Sequence, residues 1–263
     1  MATLGFSFLG VFLVTRGGAP VDTLRYDKVR CLLAWLVVES NRPHRRERLA
    51  ALFWPDLPIA RARQNLSQAL YLLRKGLDPA VGKPSCLAIT SRTVQFVADA
   101  SCEVDVFRFA DLGAADSQAD WGDAAALYCG AFLEGLAIEK STEFEEWLLL
   151  QREYYARMAA TLFARLVRHY TASGDYDAAL GWAQRWLALD PWQEEAHRTI
   201  MSVLAVAGRR CDALAHYATC RQMLLDGLGA EPSAATIALY EEIDHERFVV
   251  SSVSTQRAPI HAL

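Results

Sequence analysis

The chain has 263 residues, of which 52% are hydrophobic and 22% are charged. This composition excludes extended disorder and low complexity over most of the length, and the length suits two domains of roughly 100 to 150 residues each. Taken alone, the formal net charge of −4 argues weakly against nucleic acid as a partner.

The charge is divided unequally along the chain. Residues 1–105 hold 14 Lys and Arg against 9 Asp and Glu, whereas residues 106–263 hold 13 against 22. The basic excess is sharpest between Arg25 and Lys83, where 12 basic residues meet 5 acidic ones. Such asymmetry indicates a part that faces nucleic acid, joined to an acidic part.

Short strands and three helices are predicted in the basic part. Two alternating apolar sets over residues 4–15 change phase around Gly10, which predicts two strands. Gly17-Gly18 predicts a turn, and Val21 to Leu24 a short returning strand. Helical spacing of apolar residues then predicts helices over residues 26–39, 46–53 and 60–76.

The helix predicted over residues 60–76 has an apolar side and a polar side. Its polar side and the edges of that side carry Arg61, Arg63, Gln64, Asn65, Ser67, Gln68, Tyr71, Arg74 and Lys75. Arg can make paired hydrogen bonds to guanine, and Gln or Asn to adenine, in a major groove that admits an α-helix. Residues 57–77 contain no Asp or Glu, whereas a merely solvated helix usually mixes both signs. The pattern favours a DNA-recognition helix over a solvated face.

Further DNA contacts are expected on both sides of this helix. Arg45 and Arg46, near the second helix, are expected to hold phosphates and set the docking register. The alternation between Leu87 and Val97 predicts a β-hairpin with Arg92 at its tip, where it can reach the minor groove or the backbone. Residues 99–103 are expected to link this part to the second half.

The second half, residues 104–245, is predicted to be almost wholly helical. Gly174 to Leu180 recurs as Gly208 to Leu214, an offset of 34 residues that is the tetratricopeptide period. Helices are expected to stack as antiparallel pairs that bury their apolar faces on each other. Their expected ranges are 148–173, 177–189, 194–207 and 212–225. Residues 249–263 are expected to be a polar tail.

Motifs for catalysis, metal binding and membrane insertion are missing from the sequence. The six cysteines form no CxxC pair and are expected to be free thiols in a reducing cytoplasm. The sequence has no phosphate-binding loop, no GxGxxG or GxSxG motif and no HExxH motif. We therefore expect no enzyme activity, no cofactor and no metal. No segment is long and apolar enough to span a membrane, which predicts a cytoplasmic protein. DNA binding would place this protein at the nucleoid.

Several motifs follow each other in the order of a known family. They are Leu9-Gly10 with Phe12, Lys28-Val29-Arg30 before Leu32-Leu33, Leu52 to Asp56, Ala62 to Leu66, Ala126 to Tyr128 with Gly130, Phe132-Leu133, Gly135, Trp147, Glu153, and the repeats from Gly174 to Pro232. They resemble the SARP-type (Streptomyces antibiotic regulatory protein) activators, in which a winged helix is followed by a bacterial transcriptional activator domain. The resemblance covers roughly residues 4–245.

The resemblance implies a mainly α fold with a small β component. It implies a winged helix-turn-helix over residues 1–103, a tetratricopeptide-like activator domain over 104–247 and a flexible tail over 248–263. The family implies a sequence-specific activator that binds direct repeats of double-stranded DNA upstream of promoters, self-associating there, and recruits RNA polymerase. The loop that would touch polymerase carries Trp54, Asp56, Leu57 and Ile59.

Two departures from the family pattern accompany the resemblance. His44-Arg45-Arg46 stands where many relatives have a small polar helix cap, and Ser91-Arg92 replaces the usual glycine of the wing tip. Two other functions stay open from the residues alone. One is a tetratricopeptide interaction scaffold with a degenerate DNA-binding module, and the other is a regulatory fragment that needs a further domain.

Overall fold

The chain divides into two compact units, residues 1–162 and residues 163–263. A computed structural model describes residues 3–77, 85–98 and 101–245. The helices are α1 (Asp27–Val38), α2 (Arg46–Phe53), α3 (Ile59–Leu77), α4 (Asp105–Ala114), α5 (Gln118–Leu127), α6 (Thr142–Ser173), α7 (Tyr176–Leu187), α8 (Glu194–Val206), α9 (Arg210–Leu228) and α10 (Ala234–Asp244). The strands are β1 (Leu4–Ser7), β2 (Leu13–Arg16), β3 (Ala19–Pro20), β4 (His44–Arg45), β5 (Leu87–Ile89), β6 (Thr93–Phe96) and β7 (Cys102–Val104).

The first unit contains two small sheets. The first sheet has the order β3-β2-β1-β7, in which β1 and β2 are antiparallel and β1 and β7 are parallel. The second is antiparallel with the order β4-β6-β5, so the β5-β6 hairpin is anchored to the residues just before α2. The order of α1 to α3 followed by this hairpin is that of a winged helix-turn-helix, and the predicted mainly α fold with a small β component is confirmed.

Two predictions for the basic part are wrong in detail. The returning strand is β3 at Ala19–Pro20, whereas residues 21–24 lie against the end of α3. A Cβ atom at Gly76 would be 2.6 Å from Thr23 Oγ1, so the glycine permits this close approach. The expected linker ends in a strand, because β7 occupies Cys102–Val104 and pairs with β1.

The start of the acidic half packs on the N-terminal sheet. Both Phe8 N and Leu9 N donate to the buried Asp105 Oδ2, at 2.6 and 2.8 Å. Backbone bonds also join residues 8–10 to residues 129–134, including Leu133 N to Phe8 O and Glu134 N to Gly10 O. Gly10 has φ of +121°, and a Cβ there would be 3.3 Å from Cys129 Cβ. This contact explains why residues 128–141 are largely irregular rather than helical.

The two parts of the first unit also meet near α2. Ser141 Oγ donates to Leu52 O at 2.6 Å, and the rings of Phe53 and Phe144 lie 5.3 Å apart. Trp147 Nε1 donates to the Glu39 carboxylate at 2.9 Å. The predicted boundary between residues 103 and 104 therefore lies inside one compact unit, and as a boundary between family domains it stays a prediction.

The second unit, described from Phe163 to His245, contains the end of α6 and α7 to α10. The 34-residue offset is repeated in its backbone, because Asp175 N bonds to Tyr170 O and Arg209 N bonds to Leu204 O. Gly174 and Gly208 have φ of +79° and +74°, the left-handed conformation that ends a helix at low cost with glycine. Ala179 and Ala213, also 34 residues apart, are both fully buried in the helix packing.

The helix ranges expected in the acidic half match the structure to within a few residues, apart from one start. The long helix α6 begins at Thr142 rather than residue 148, because Glu143 and Glu145 occupy its first turn. The expected tail over residues 248–263 lies outside the described residues. Within the part of the chain that is described, no helix is long and apolar enough to cross a membrane.

Candidate nucleic-acid interface

The helix α3 has the two sides that its sequence predicts. Ala62, Leu66, Ala69, Leu70 and Leu73 are buried. The opposite side chains Arg61, Arg63, Gln64, Ser67, Gln68, Tyr71, Arg74 and Lys75 are exposed, and Asn65 is half-buried. Tyr71, at 59% exposure, places an aromatic ring on this polar face. The structure therefore presents the predicted base-reading side chains together on one surface.

A cleft lies beside this face, and we call it the arginine cleft. It has a volume of about 740 Å³ and is formed by the start of α2, the middle of α3 and the tip of the β5-β6 hairpin. Its lining consists of Arg45, Arg46, Glu47, Arg63, Leu66, Ser67, Ser91, Arg92 and Thr93. Four predicted DNA-binding arginines from three separate stretches of chain thus meet at one site. Four arginines in the lining of one cleft suit contact with phosphate oxygens.

The side chain of Arg46 connects α3 to the β5-β6 hairpin. Its Nη2 donates to Ser67 Oγ at 2.9 Å and its Nη1 to Thr90 O at 3.4 Å. Its backbone N donates to Arg92 O at 2.9 Å. A phosphate contact was predicted for Arg46. The structure adds a second role, in which Arg46 holds α3 and the hairpin tip at a fixed spacing.

The structure shows what stabilises the start of α2 and the hairpin tip, the two places where the sequence departs from the family pattern. The N-cap residue of α2 is Arg45, and its side chain makes no capping hydrogen bond. The cap position is instead fixed by strand β4, where Arg45 pairs with Thr93. At the hairpin tip, Thr90 Oγ1 accepts hydrogen bonds from Arg92 N and Thr93 N, at 3.2 and 2.8 Å. A threonine-mediated turn therefore supports the tip where a glycine is usual.

The loop between α2 and α3 is partly buried. Trp54 is only 9% exposed, and Lys28 Nζ lies 5.8 Å from the centre of its ring. Asp56, Leu57 and Ile59 are exposed. The burial of Trp54 restricts the predicted polymerase-contact surface to these three side chains, because the indole packs inside the unit.

Sequence reasoning missed the acidic partners of two arginines. Glu47 accepts a hydrogen bond from Arg63 Nη2 at 2.9 Å, and Glu143 forms an ion pair with Arg48. These acids lie 16 and 95 residues from their partners, and they follow no helical spacing with them. The sequence contains one indication of such a pair, because Glu47 stands between Arg45-Arg46 and Arg48 in an otherwise basic stretch.

His, Cys, Asp and Glu are the side chains that could bind a metal ion, and pairs of Cys could form disulfides. The described residues contain no group of three or more His, Cys, Asp and Glu side chains that could hold a metal ion. All six cysteines lie in described segments, and no disulfide joins them. In the second unit, His197 Nδ1 and His216 Nε2 are 3.0 Å apart, and His197 Nε2 contacts Pro191 O. Burial lowers the pKa of His216 to about 4, so the imidazole of His216 is neutral at pH 7.

Comparison with known proteins identifies the relatives of the chain. Residues 104–244, more than half of the chain, match the family described as BTAD, Bacterial transcriptional activator domain. The chain is 27% identical over 259 residues to the transcriptional regulatory protein EmbR of Mycobacterium tuberculosis, an alignment that covers 91% of this chain and 63% of EmbR. It is 26% identical over 257 residues to the regulatory protein AfsR of Streptomyces coelicolor, covering 91% of this chain and 24% of AfsR.

A solved structure supports the fold. The structure of Mycobacterium tuberculosis EmbR in complex with a low affinity phosphopeptide matches with a TM-score of 0.68 and 23% identity, covering 94% of this chain and 66% of that one. By their names, EmbR is a transcriptional regulatory protein and AfsR is a regulatory protein. The chain belongs to the bacterial transcriptional activator domain family, and its resemblance to the SARP-type regulators is confirmed. It spans 63% of the length of EmbR.

Proposed function

We propose that the protein is a sequence-specific DNA-binding transcriptional activator that acts in the cytoplasm, at the nucleoid. The observation that carries the proposal is the exposed face of α3, which presents Gln64, Gln68 and Arg61 beside the arginine cleft. A helix of 19 residues with one buried and one polar side can lie in a major groove while its other side stays in the core. The family to which the chain belongs supports a role in transcription.

Base reading and phosphate binding are assigned to different parts of the surface. The side chains that project from α3 read base edges through paired hydrogen bonds, with Tyr71 in contact with bases or sugars. Arg63 belongs to this base-reading set, whereas the other three arginines of the cleft, Arg45, Arg46 and Arg92, bind the phosphate backbone, which sets the register without reading sequence. Cofactor and catalytic chemistry have no part in this proposal.

Recruitment of RNA polymerase completes the proposal. The exposed side chains Asp56, Leu57 and Ile59 form a mixed acidic and apolar surface at the N-terminal end of α3. Binding of promoter-upstream direct repeats places two copies side by side on the DNA, each with this loop available to the polymerase. A footprint on the DNA upstream of the protein's own gene tests whether two repeats are protected together.

The recognition face is tested by a single substitution with a matched control. Gln68→Ala removes a side chain able to make two hydrogen bonds to adenine, and we expect it to lose about 1–3 kcal/mol of discrimination between sites. Gln184→Ala, at an exposed position of α7, changes the same residue type outside the proposed interface. Dissociation constants are measured by fluorescence anisotropy with a duplex selected from a randomised pool and with a shuffled duplex of equal composition.

Two results would contradict the proposal. One is a selection at low salt that enriches no duplex from the randomised pool, since phosphate contacts are strongest there. The other is equal weakening of both duplexes by Gln68→Ala, which would remove α3 from base reading. A second candidate, a protein-interaction scaffold, is favoured by the repeated helix pairs of the second unit, and it predicts the first of these results.

A further inference from the structure

Glu47 is an acidic side chain in a cleft that otherwise carries positive charge. Among the described residues, Glu47 lines the arginine cleft together with Arg45, Arg46, Arg63 and Arg92. Its Oε1 accepts from Arg63 Nη2 at 2.9 Å, which joins α2 to the recognition helix α3. The side chains of Arg63 and Glu47 are 52% and 61% exposed. An exposed pair of this kind is weak, so DNA can compete for the arginine.

A carboxylate at this place opposes the binding of phosphate. Any phosphate that enters the cleft meets the Glu47 charge at short range and meets an Arg63 that is already partly neutralised. Like charges a few ångströms apart in a largely aqueous site lower affinity by about threefold to tenfold. Because phosphates are the same in every sequence, this effect weakens contact with all DNA.

The effect differs when Arg63 reads a base. A guanidinium has five N–H donors, and Glu47 occupies one of them, which leaves others for the O6 and N7 atoms of guanine. At a matching site the ion pair can persist and hold the arginine plane in place. At a mismatched site Arg63 makes no base contact that Glu47 could support, so only the repulsion of phosphate by Glu47 remains.

We infer that Glu47 is a specificity-determining residue of the DNA interface, which lowers the affinity of the arginine cleft for mismatched DNA more than for matching DNA. This inference rests on the proposed function. It assigns to an acidic side chain a discrimination that Arg45, Arg46 and Arg92 cannot provide, since these three attract every phosphate alike.

The experiment compares Glu47→Gln with the wild-type chain. Glutamine keeps the length and a hydrogen-bond acceptor for Arg63 but removes the charge. We expect binding to the shuffled duplex to tighten about threefold to tenfold, with a smaller change for the selected duplex, so that the ratio of the two dissociation constants falls. The salt dependence on the shuffled duplex, measured between 100 and 200 mM KCl, should steepen by about one unit of log–log slope, since about one more phosphate is neutralised.

Two control variants separate charge from other effects. Glu103→Gln makes the same change in net charge at an exposed position of β7, outside the cleft lining, and should leave the ratio unchanged. Glu47→Asp keeps a negative charge in the cleft and should keep most of the discrimination. Thermal unfolding followed by circular dichroism shows that each variant is folded.

Three outcomes overturn the inference while leaving the proposed function intact. One is a Glu47→Gln variant in which the ratio of the two dissociation constants is unchanged. Another is a Glu47→Gln variant that binds the selected duplex more weakly and the shuffled duplex as before, because Glu47 would then act only as a support for Arg63. The third is a Glu47→Asp variant that behaves like Glu47→Gln, since charge would then not be the cause. Failure of the wild-type chain to bind either duplex overturns both the proposed function and the inference.

Discussion

Asp105 shows how one side chain can join two parts of a chain. It is the first residue of α4, and its carboxylate accepts hydrogen bonds from Phe8 N and Leu9 N in the N-terminal region. Its other oxygen accepts from Val106 N at 2.7 Å. Burial raises the pKa of this carboxyl to about 6, against the lowering effect of these hydrogen bonds. Asp105 therefore holds Phe8 and Leu9 in place, and the desolvation of its carboxylate opposes this stabilisation.

We expect Asp105→Asn to lower the free energy of unfolding by about 1–3 kcal/mol at pH 7, because the amide cannot accept on both sides. Between pH 4 and pH 6 the folded wild-type chain holds a proton on Asp105 that the unfolded chain releases. The free energy of unfolding of the wild-type chain therefore falls as pH rises through this window, and this contribution is absent from the variant. Urea denaturation at four pH values measures both effects.

The exposed Asp111, on the same helix, provides the matched control as Asp111→Asn. Hydrogen exchange of the Phe8 and Leu9 amides should accelerate in Asp105→Asn and stay unchanged in the control. Unchanged exchange at these two amides in Asp105→Asn would contradict the role assigned to the carboxylate.

At the scale of elements, local patterns predicted most of the fold. Apolar spacing placed α1, α2 and α3 within two residues of their ends, and the hairpin followed from the alternation around Thr90 to Thr93. The exposed face of α3 was predictable for the same reason, since a 3.6-residue period separates its two sides. The partners Glu47 and Glu143 were not, because their contacts depend on how separate elements pack rather than on spacing along the chain.

The contact between α2, α3 and the hairpin leads to a prediction for Arg46. Arg46→Lys keeps the positive charge but cannot bond to Ser67 and Thr90 together, because a lysine lacks the planar fork of the guanidinium. We expect it to weaken binding to selected and shuffled duplexes about fivefold, with an unchanged salt slope. Anisotropy titrations at three salt concentrations measure both quantities.

A phosphate contact alone makes a different prediction for this residue. In that case lysine would preserve nearly all the affinity, and Arg46→Ala would reduce the salt slope by about one. Arg42→Lys, at an exposed position before β4, serves as the matched control. Wild-type affinity in Arg46→Lys would show that the tie between helix and hairpin does not affect DNA binding.

At the scale of the whole molecule, the compact units and the charge pattern divide the chain at different places. The charge changes sign near residue 105, whereas the first compact unit continues to residue 162. The cause is the contact surface between residues 8–10 and 129–134, together with the packing of Phe53 on Phe144. Charge and periodicity report what each segment faces, but they carry no signal for which segments share a core.

A fragment of residues 1–103 should therefore be much less stable than a fragment of residues 1–173. The shorter fragment loses Asp105 and exposes Phe8, which is fully buried in the intact unit. Loss of one such aromatic contact surface costs about 3 kcal/mol or more, a large part of the stability of a small domain. Circular dichroism and analytical ultracentrifugation of both fragments measure the difference, and equal melting temperatures would refute it.

The contact surface inside the first unit also limits where two members of this family can be recombined. A crossover at the charge boundary would pair α3 of one parent with the Asp105 segment and α6 of another, and the aromatic and backbone contacts between them would have to match by chance. A crossover beyond the end of α6 would transfer α3 together with the residues that support it. Natural and engineered chimaeras should therefore inherit α3 and the part of α6 up to residue 162 as one piece.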